Sequence, residues 1–100
     1  MTNSNRPKKN NNMEYAETIA LKAVHFILTD DETQQKFIDF TGILPSDFER
    51  IIKDPEFLGG VLDFLLANED KLIEFCTENE ITPEEPSRVR GLFPGATFGY

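Results

Sequence analysis

The chain of 100 residues resembles itself at an offset of 38 residues, and this similarity constrains the fold more than any other feature. When residues 19–50 are placed over residues 57–88, six positions are identical: Phe26/Phe64, Leu28/Leu66, Phe37/Phe75, Ile43/Ile81, Pro45/Pro83 and Arg50/Arg88. A period of this size is typical of stacked helical units that cannot bury their apolar faces alone. The sequence therefore predicts an all-α fold, a compact bundle of five or six short helices with an internal pseudo-twofold repeat.

Helix boundaries in the first copy follow from periodicity and capping. Apolar residues at helical spacing predict the first helix from about Met13 to Leu28. Asp30 is expected to cap a second helix, and Gly42 to end it, because glycine adopts the left-handed conformation at little cost. An Ile-x-Pro-x-acid turn containing Pro45 then predicts a third, short helix.

The second copy carries the most apolar helix. Asp54-Pro55 is a start signal, and the helix that runs to about Ala67 is apolar on almost all sides, which predicts a central position. Asn68 is expected to cap a fifth helix. Within the central helix, Gly59-Gly60 costs about 1 kcal/mol per residue relative to Ala. The glycines therefore predict a close crossing with small residues of the first helix, namely Ala16, Ala20 and Ala23.

Charge and composition limit the classes of function. The formal net charge is −8, although Arg6, Lys8 and Lys9 make the first twelve residues basic. The acidic body argues against direct binding of nucleic acid or of an anionic membrane, because both are polyanions. No apolar run is long enough to span a bilayer, no signal peptide is expected, and a single cysteine agrees with a reducing compartment. The expected location is cytoplasmic.

Three segments are expected along the chain. Residues 1–12 are predicted to be a disordered, basic, Asn-rich leader, because they contain few apolar residues. Residues 13–94 are predicted to form a single helical domain, and residues 95–100 a C-terminal tail. A chain of this length is enough for one compact domain.

Residues suited to catalysis or metal binding are sparse. The one histidine, His25, is predicted to be a partly exposed helix residue, and the one cysteine, Cys76, to pack in the core. The acidic run from Asp30 to Glu32 lacks the alternating pattern of a calcium loop and is better explained by helix capping. The sequence therefore predicts no enzyme activity, no catalytic residue, no metal site and no cofactor.

Aromatic and apolar residues supply the candidate interaction surface. Phe64 and Leu65 lie on the central helix, while Phe93, Phe98 and Tyr100 lie beyond the last strong helical signal. The three C-terminal aromatics either fold back over the core or form an exposed arm that meets a partner or a second copy.

Several motifs together resemble a known family. They are Ala16-Glu17-x-Ile19-Ala20-Leu21-x-Ala23-x-x-Phe26, Phe37 to Gly42, Asp54-Pro55-x-Phe57-Leu58, Val61-Leu62-Asp63-x-Leu65-Leu66 and Glu84-Glu85-Pro86-x-Arg88. In order and spacing they are similar to a domain-of-unknown-function family of small, acidic, helical alphaproteobacterial proteins, over about residues 15–94. The resemblance implies a free-standing bacterial cytoplasmic protein, and it implies no activity, cofactor or catalytic residue.

The expected function is a small protein–protein interaction or adaptor module whose acidic body suits a basic protein partner. Two alternatives stay open. One is an acidic regulator that masks the basic site of a nucleic-acid-binding protein, and the other is a small ligand-binding domain. Whether the chain forms a homodimer also stays open at this point.

Overall fold

The computed structural model describes the backbone of residues 8–95 and the side chains of residues 12–95. That part of the chain contains six α-helices and no strand. The helices are α1 (Lys8–Leu28), α2 (Asp31–Thr41), α3 (Phe48–Ile51), α4 (Pro55–Ala67), α5 (Glu69–Asn79) and α6 (Glu84–Arg90), with a 3₁₀ turn at Pro45–Asp47. The all-α helical bundle is therefore confirmed. Residues 1–7 and 96–100 lie outside the described residues, and with them most of the predicted leader and tail.

Local capping explains where the helices begin and end. The Asp30 carboxylate accepts a hydrogen bond of 2.9 Å from the backbone N–H of Thr33, three residues on, and so caps α2. Gly42 ends α2 with a φ of 77°. Asp54 caps α4 through the N–H of Glu56, at 2.9 Å, with a proline in the first turn. These boundaries match the predicted ones because each signal acts within a single turn.

The start of α1 differs from the prediction. The helix begins at Lys8 and not at about Met13, so its first residues come from the segment that the sequence assigned to the leader. Neither glycine nor proline stands between Lys8 and Leu28. Asparagine lowers helix propensity by less than about 1 kcal/mol per residue and does not by itself end a helix.

Helix α4 lies at the centre of the bundle, and phenylalanine rings fill one side of the core. Phe37 of α2 makes edge-to-face contacts with Phe48, Phe57 and Phe64, with ring centroids 5.4, 6.3 and 5.3 Å apart. Helix α1 packs against both α4 and α2. The apolar stripe of α1 is buried, as the periodicity predicts.

The predicted role of the two glycines needs correction. The three alanines of α1 are fully buried, but the close approach at Gly59 comes from elsewhere. A Cβ added at Gly59 would lie 2.8 Å from Nη1 of Arg90 and 3.2 Å from Cβ of Phe93. A Cβ added at Gly60 would have no atom of another element within 4 Å. The small residue at Gly59 therefore makes room for α6 and the segment after it, not for α1.

The observed elements agree with the offset of 38 residues. Helices α2 and α5 are each 11 residues long, and their first residues, Asp31 and Glu69, are one offset apart. Both end at a residue in the left-handed region, Gly42 with φ 77° and Glu80 with φ 56°. The internal repeat itself stays a prediction.

Candidate protein-interaction surfaces

Three of the five residues predicted to form the interaction surface are buried. Phe64 and Leu65 are fully buried and Phe93 is 3% exposed. The Phe64 ring lies between the rings of Phe37 and Phe40, with centroids 5.3 and 5.7 Å away. An apolar residue on the central helix is covered from several sides, so its hydrophobicity signals core and not interface. Phe93 folds back onto the core.

The two remaining candidates, Phe98 and Tyr100, lie outside the described residues. Other large apolar side chains are exposed by 40% or more in the described part: Tyr15, Leu21, Leu28, Phe40, Leu44, Ile73 and Leu92. Single exposed apolar residues are normal on a protein surface. A surface that combines such a residue with a depression is more informative.

One open apolar groove, which we call the Leu21 groove, lies between α1 and the start of α4. It has a volume of about 480 Å³ and is lined by Glu17, Leu21, Ile52, Lys53 and Leu58. The Leu21 side chain is 44% exposed, while Leu58 is 4% exposed. The two charged residues stand on different elements, Glu17 on α1 and Lys53 in the connection before α4. This groove can receive an apolar side chain.

A second surface is acidic and lies where α2 and α5 begin. We call it the acidic groove: it has a volume of about 460 Å³, and its carboxylates are Glu32, Glu69, Asp70 and Glu74. The Lys71 side chain, 9% exposed, forms its floor, and its Nζ lies 3.3 Å from Glu32 and 3.6 Å from Glu74. The carboxylates outnumber the cations that line the groove, so the groove is negatively charged.

Ionisation in this region keeps the charges in place at neutral pH. The Thr33 hydroxyl, 2.7 Å from Asp30, and the Thr33 backbone N–H hold the pKa of the Asp30 carboxyl below its usual value. Burial alone would lower the pKa of the Lys71 ammonium. The hydrogen bond and charge of Glu32, with the charges of Glu74 and Asp30, outweigh that effect and raise the Lys71 pKa. Lys71 is therefore charged, and it ties the start of α5 to the start of α2.

A third groove, of about 510 Å³, lies between α1 and the end of α5, and the exposed His25 lines it. The hydroxyls of Thr18 and Thr29 in its wall donate to backbone carbonyls at 2.9 and 3.1 Å. Lys22 and Glu78 bring opposite charges to the same groove. No set of groups suited to one reaction or to one charged ligand converges there among the described side chains.

Cys76, the one cysteine, lies in the core. Cys76 is 2% exposed, and its thiol donates a hydrogen bond of 3.8 Å to the carbonyl of Thr82. Burial, together with the charge of Glu84, raises the pKa of the Cys76 thiol. This confirms core packing for Cys76. Within residues 8–95, no His, Cys, Asp or Glu cluster is able to hold a metal ion, and no helix is long and apolar enough to cross a membrane.

Arg90, like Lys71, is a buried charged residue that no sequence pattern predicted. It is 8% exposed, and its guanidinium binds both carboxylate oxygens of Asp63, at 2.6 and 2.9 Å. Nη1 also donates to the carbonyls of Phe93 and Pro94, at 3.3 and 3.0 Å. Arg90 therefore holds the residues after α6 against α4. In the sequence, the signal for this contact was Gly59 together with Asp63, four positions apart in a largely apolar helix.

Comparison with known proteins identifies the family of this chain. A family model described as "Protein of unknown function (DUF3572)" covers residues 13–96, and the chain therefore belongs to this family. No curated protein and no solved structure matches the chain.

Proposed function

We propose that this member of the DUF3572 family is a small, non-catalytic protein-interaction module of the cytoplasm, whose acidic groove binds a basic segment of a partner protein. The main support is a group of unpaired acidic side chains at the starts of α2 and α5. Asp31, Glu69 and Asp70 are exposed and form no ion pair with any described residue. Glu69 and Asp70 line the acidic groove together with Lys71, whose charge is already paired with Asp30, Glu32 and Glu74.

The distribution of cations elsewhere supports the same proposal. Most lysine and arginine side chains after residue 12 already pair with carboxylates of the same chain: Arg50 with Asp47, Arg88 with Glu85, Arg90 with Asp63, and Lys71 with its three neighbours. The excess of acidic residues is therefore left to solvent. A field of this sign attracts basic partners and mainly accelerates their association.

The proposal is tested with two fluorescent helical peptides of equal length and equal apolar content, one lysine-rich and one glutamate-rich. Fluorescence anisotropy should show binding of the lysine-rich peptide only. The affinity should fall as salt rises, because exposed charges more than about 8 Å apart are screened at physiological ionic strength. Binding of both peptides, or of neither, contradicts the proposal.

Matched variants separate a defined site from general attraction to a negative protein. The triple variant D31N/E69Q/D70N removes charge at the acidic groove and next to it: Glu69 and Asp70 line the groove, and Asp31 precedes Glu32 in the first turn of α2. The triple variant E14Q/E49Q/E78Q removes the same charge from exposed positions elsewhere. We expect only the first to lose binding of the lysine-rich peptide, and equal losses would overturn the assignment to the groove. Circular dichroism checks that both fold, since first-turn acids each stabilise a helix by about 0.3–1 kcal/mol.

A further inference from the structure

We propose that the Leu21 groove is the interface of a symmetric dimer, occupied by a second copy of this chain. The proposal goes beyond partner binding at the acidic groove and uses none of its residues. A twofold interface brings the same patch of both copies together, so the patch must be complementary to itself in shape and in charge. The Leu21 groove meets both requirements.

Its shape combines a protruding and a receding side. Leu21 projects from α1 and is 44% exposed, whereas Leu58 at the start of α4 is 4% exposed and Ile52 is half-buried. A twofold axis through the groove places Leu21 of each copy over Ile52 and Leu58 of the other. Apolar surface that is exposed in the monomer is then removed from water on both sides, which is the main source of affinity in such contacts.

Its charges are also self-complementary. Glu17 stands on the α1 side and Lys53 on the opposite side, and neither forms an ion pair with any described residue. The same twofold rotation places Glu17 of one copy opposite Lys53 of the other, twice per dimer. A basic segment in this groove would instead bring its cations to Lys53. Charge complementarity therefore favours a second copy over the basic partner proposed for the acidic groove.

The second half of the chain shows a comparable place already covered. Gly59 and Arg90 follow Leu21 and Ile52 by 38 residues each, and there Arg90 and Phe93 lie directly against α4. In the first half, the groove at Leu21 and Ile52 stays open. The chain covers one of these two places with its own residues and leaves the other for another molecule.

The net charge of −8 on each copy opposes dimerisation at long range. At physiological salt the screening length is about 8 Å, so charges of the two copies that lie farther apart than this repel one another only weakly. The measurement is therefore sedimentation equilibrium of the full chain at physiological salt, over a wide range of concentration. We expect the mass to rise from 11.4 kDa towards twice that value. A mass that stays at 11.4 kDa throughout would overturn the proposal.

Two leucine variants locate the interface. Leu21→Asp should raise the dimer dissociation constant about tenfold or more, since it places a carboxylate against the apolar side of the groove. Leu28→Asp is the matched control, because Leu28 lies on the same helix, is 43% exposed and does not line the groove. It should leave the dissociation constant within about twofold. A dimer that tolerates Leu21→Asp, or that both substitutions weaken equally, uses another surface and contradicts the proposal.

A charge exchange tests the pairing across the twofold axis. Glu17→Lys and Lys53→Glu should each weaken self-association, because each places like charges opposite one another. In a mixture of the two variants, both contacts join opposite charges again, so the mixture should associate more tightly than either variant alone. Thermal melts of each variant confirm folding. A mixture that behaves as the average of its components would refute the Glu17–Lys53 pairing.

Discussion

Two places on this molecule, 38 residues apart in sequence, differ in what covers them. At Gly59 the absence of a side chain lets the Arg90 guanidinium and Phe93 lie against α4. At Leu21, one offset earlier, a leucine side chain projects from α1, and Ile52 stands where the second half has Arg90. The first place is closed by the chain itself and the second is an open groove. The place that has Gly59 and Arg90 is packed, and the place that has Leu21 and Ile52 is open.

Helices α2 and α5, which lie one offset apart in the sequence, show a similar contrast. Both are 11 residues long, and Phe37 and Phe75, at matching positions, are fully buried. Four residues earlier in each helix, Thr33 bonds to its own cap Asp30, while the matching Lys71 bonds to Glu32 in α2. Thr33 thus acts within its own helix, whereas Lys71 links the start of α5 to the start of α2. We therefore expect matching mutations in the two halves to change the free energy of unfolding by different amounts.

The largest expected effect compares the two buried phenylalanines. Phe37→Ala and Phe75→Ala should each lower the free energy of unfolding by about 3–5 kcal/mol. The loss should be greater for Phe37, because among the described residues its ring meets three other rings and that of Phe75 meets one, Phe26. Urea unfolding with a two-state fit measures both. Equal losses, or a greater loss for Phe75, would contradict the view that the Phe37 cluster is the stronger half of the core.

A smaller effect, of opposite sign at adjacent positions, is expected for the two glycines of α4. Gly59→Ala should destabilise by about 1–3 kcal/mol, since its Cβ would meet Arg90 at 2.8 Å and force that held side chain to move. Gly60→Ala should stabilise by up to about 1 kcal/mol, because open space surrounds it and alanine favours the helix. Thermal unfolding of both variants checks the signs. A neutral Gly59→Ala would mean that Arg90 does not close this place.

The smallest expected effect concerns the residues that end α2 and α5. Gly42 and Glu80 both adopt left-handed backbone angles, which cost a residue with a side chain about 1 kcal/mol more than glycine. Glu80→Gly should therefore raise the free energy of unfolding by about 0.5–1 kcal/mol, and Gly42→Ala should lower it by about 1 kcal/mol. The two denaturation midpoints are compared with that of the unmodified chain. Shifts in the same direction would show that the two helix ends are not equivalent.

The candidate surfaces were less predictable than the fold. Hydrophobicity on the central helix selected Phe64 and Leu65, which the structure buries. Apolar residues on a helix surrounded by others carry no information about interfaces. Leu21 and Ile52, which line the open groove, look like ordinary helix residues in the sequence. Only the tertiary structure brings them together at the edge of one open groove.

The sequence by itself determined the helical class and most helix boundaries. Asp30, Gly42 and Asp54 each act on backbone groups within one turn, so their effect does not depend on the rest of the fold. The tertiary structure decided which long charged side chains are buried and which residues they bind. Lys71 binds Glu32, 39 residues away, and Arg90 binds Asp63, 27 residues away. A charged side chain is buried without a large loss of stability only where a partner of opposite charge lies within ion-pair distance. Residues this far apart in sequence reach that distance only when the helices have packed together.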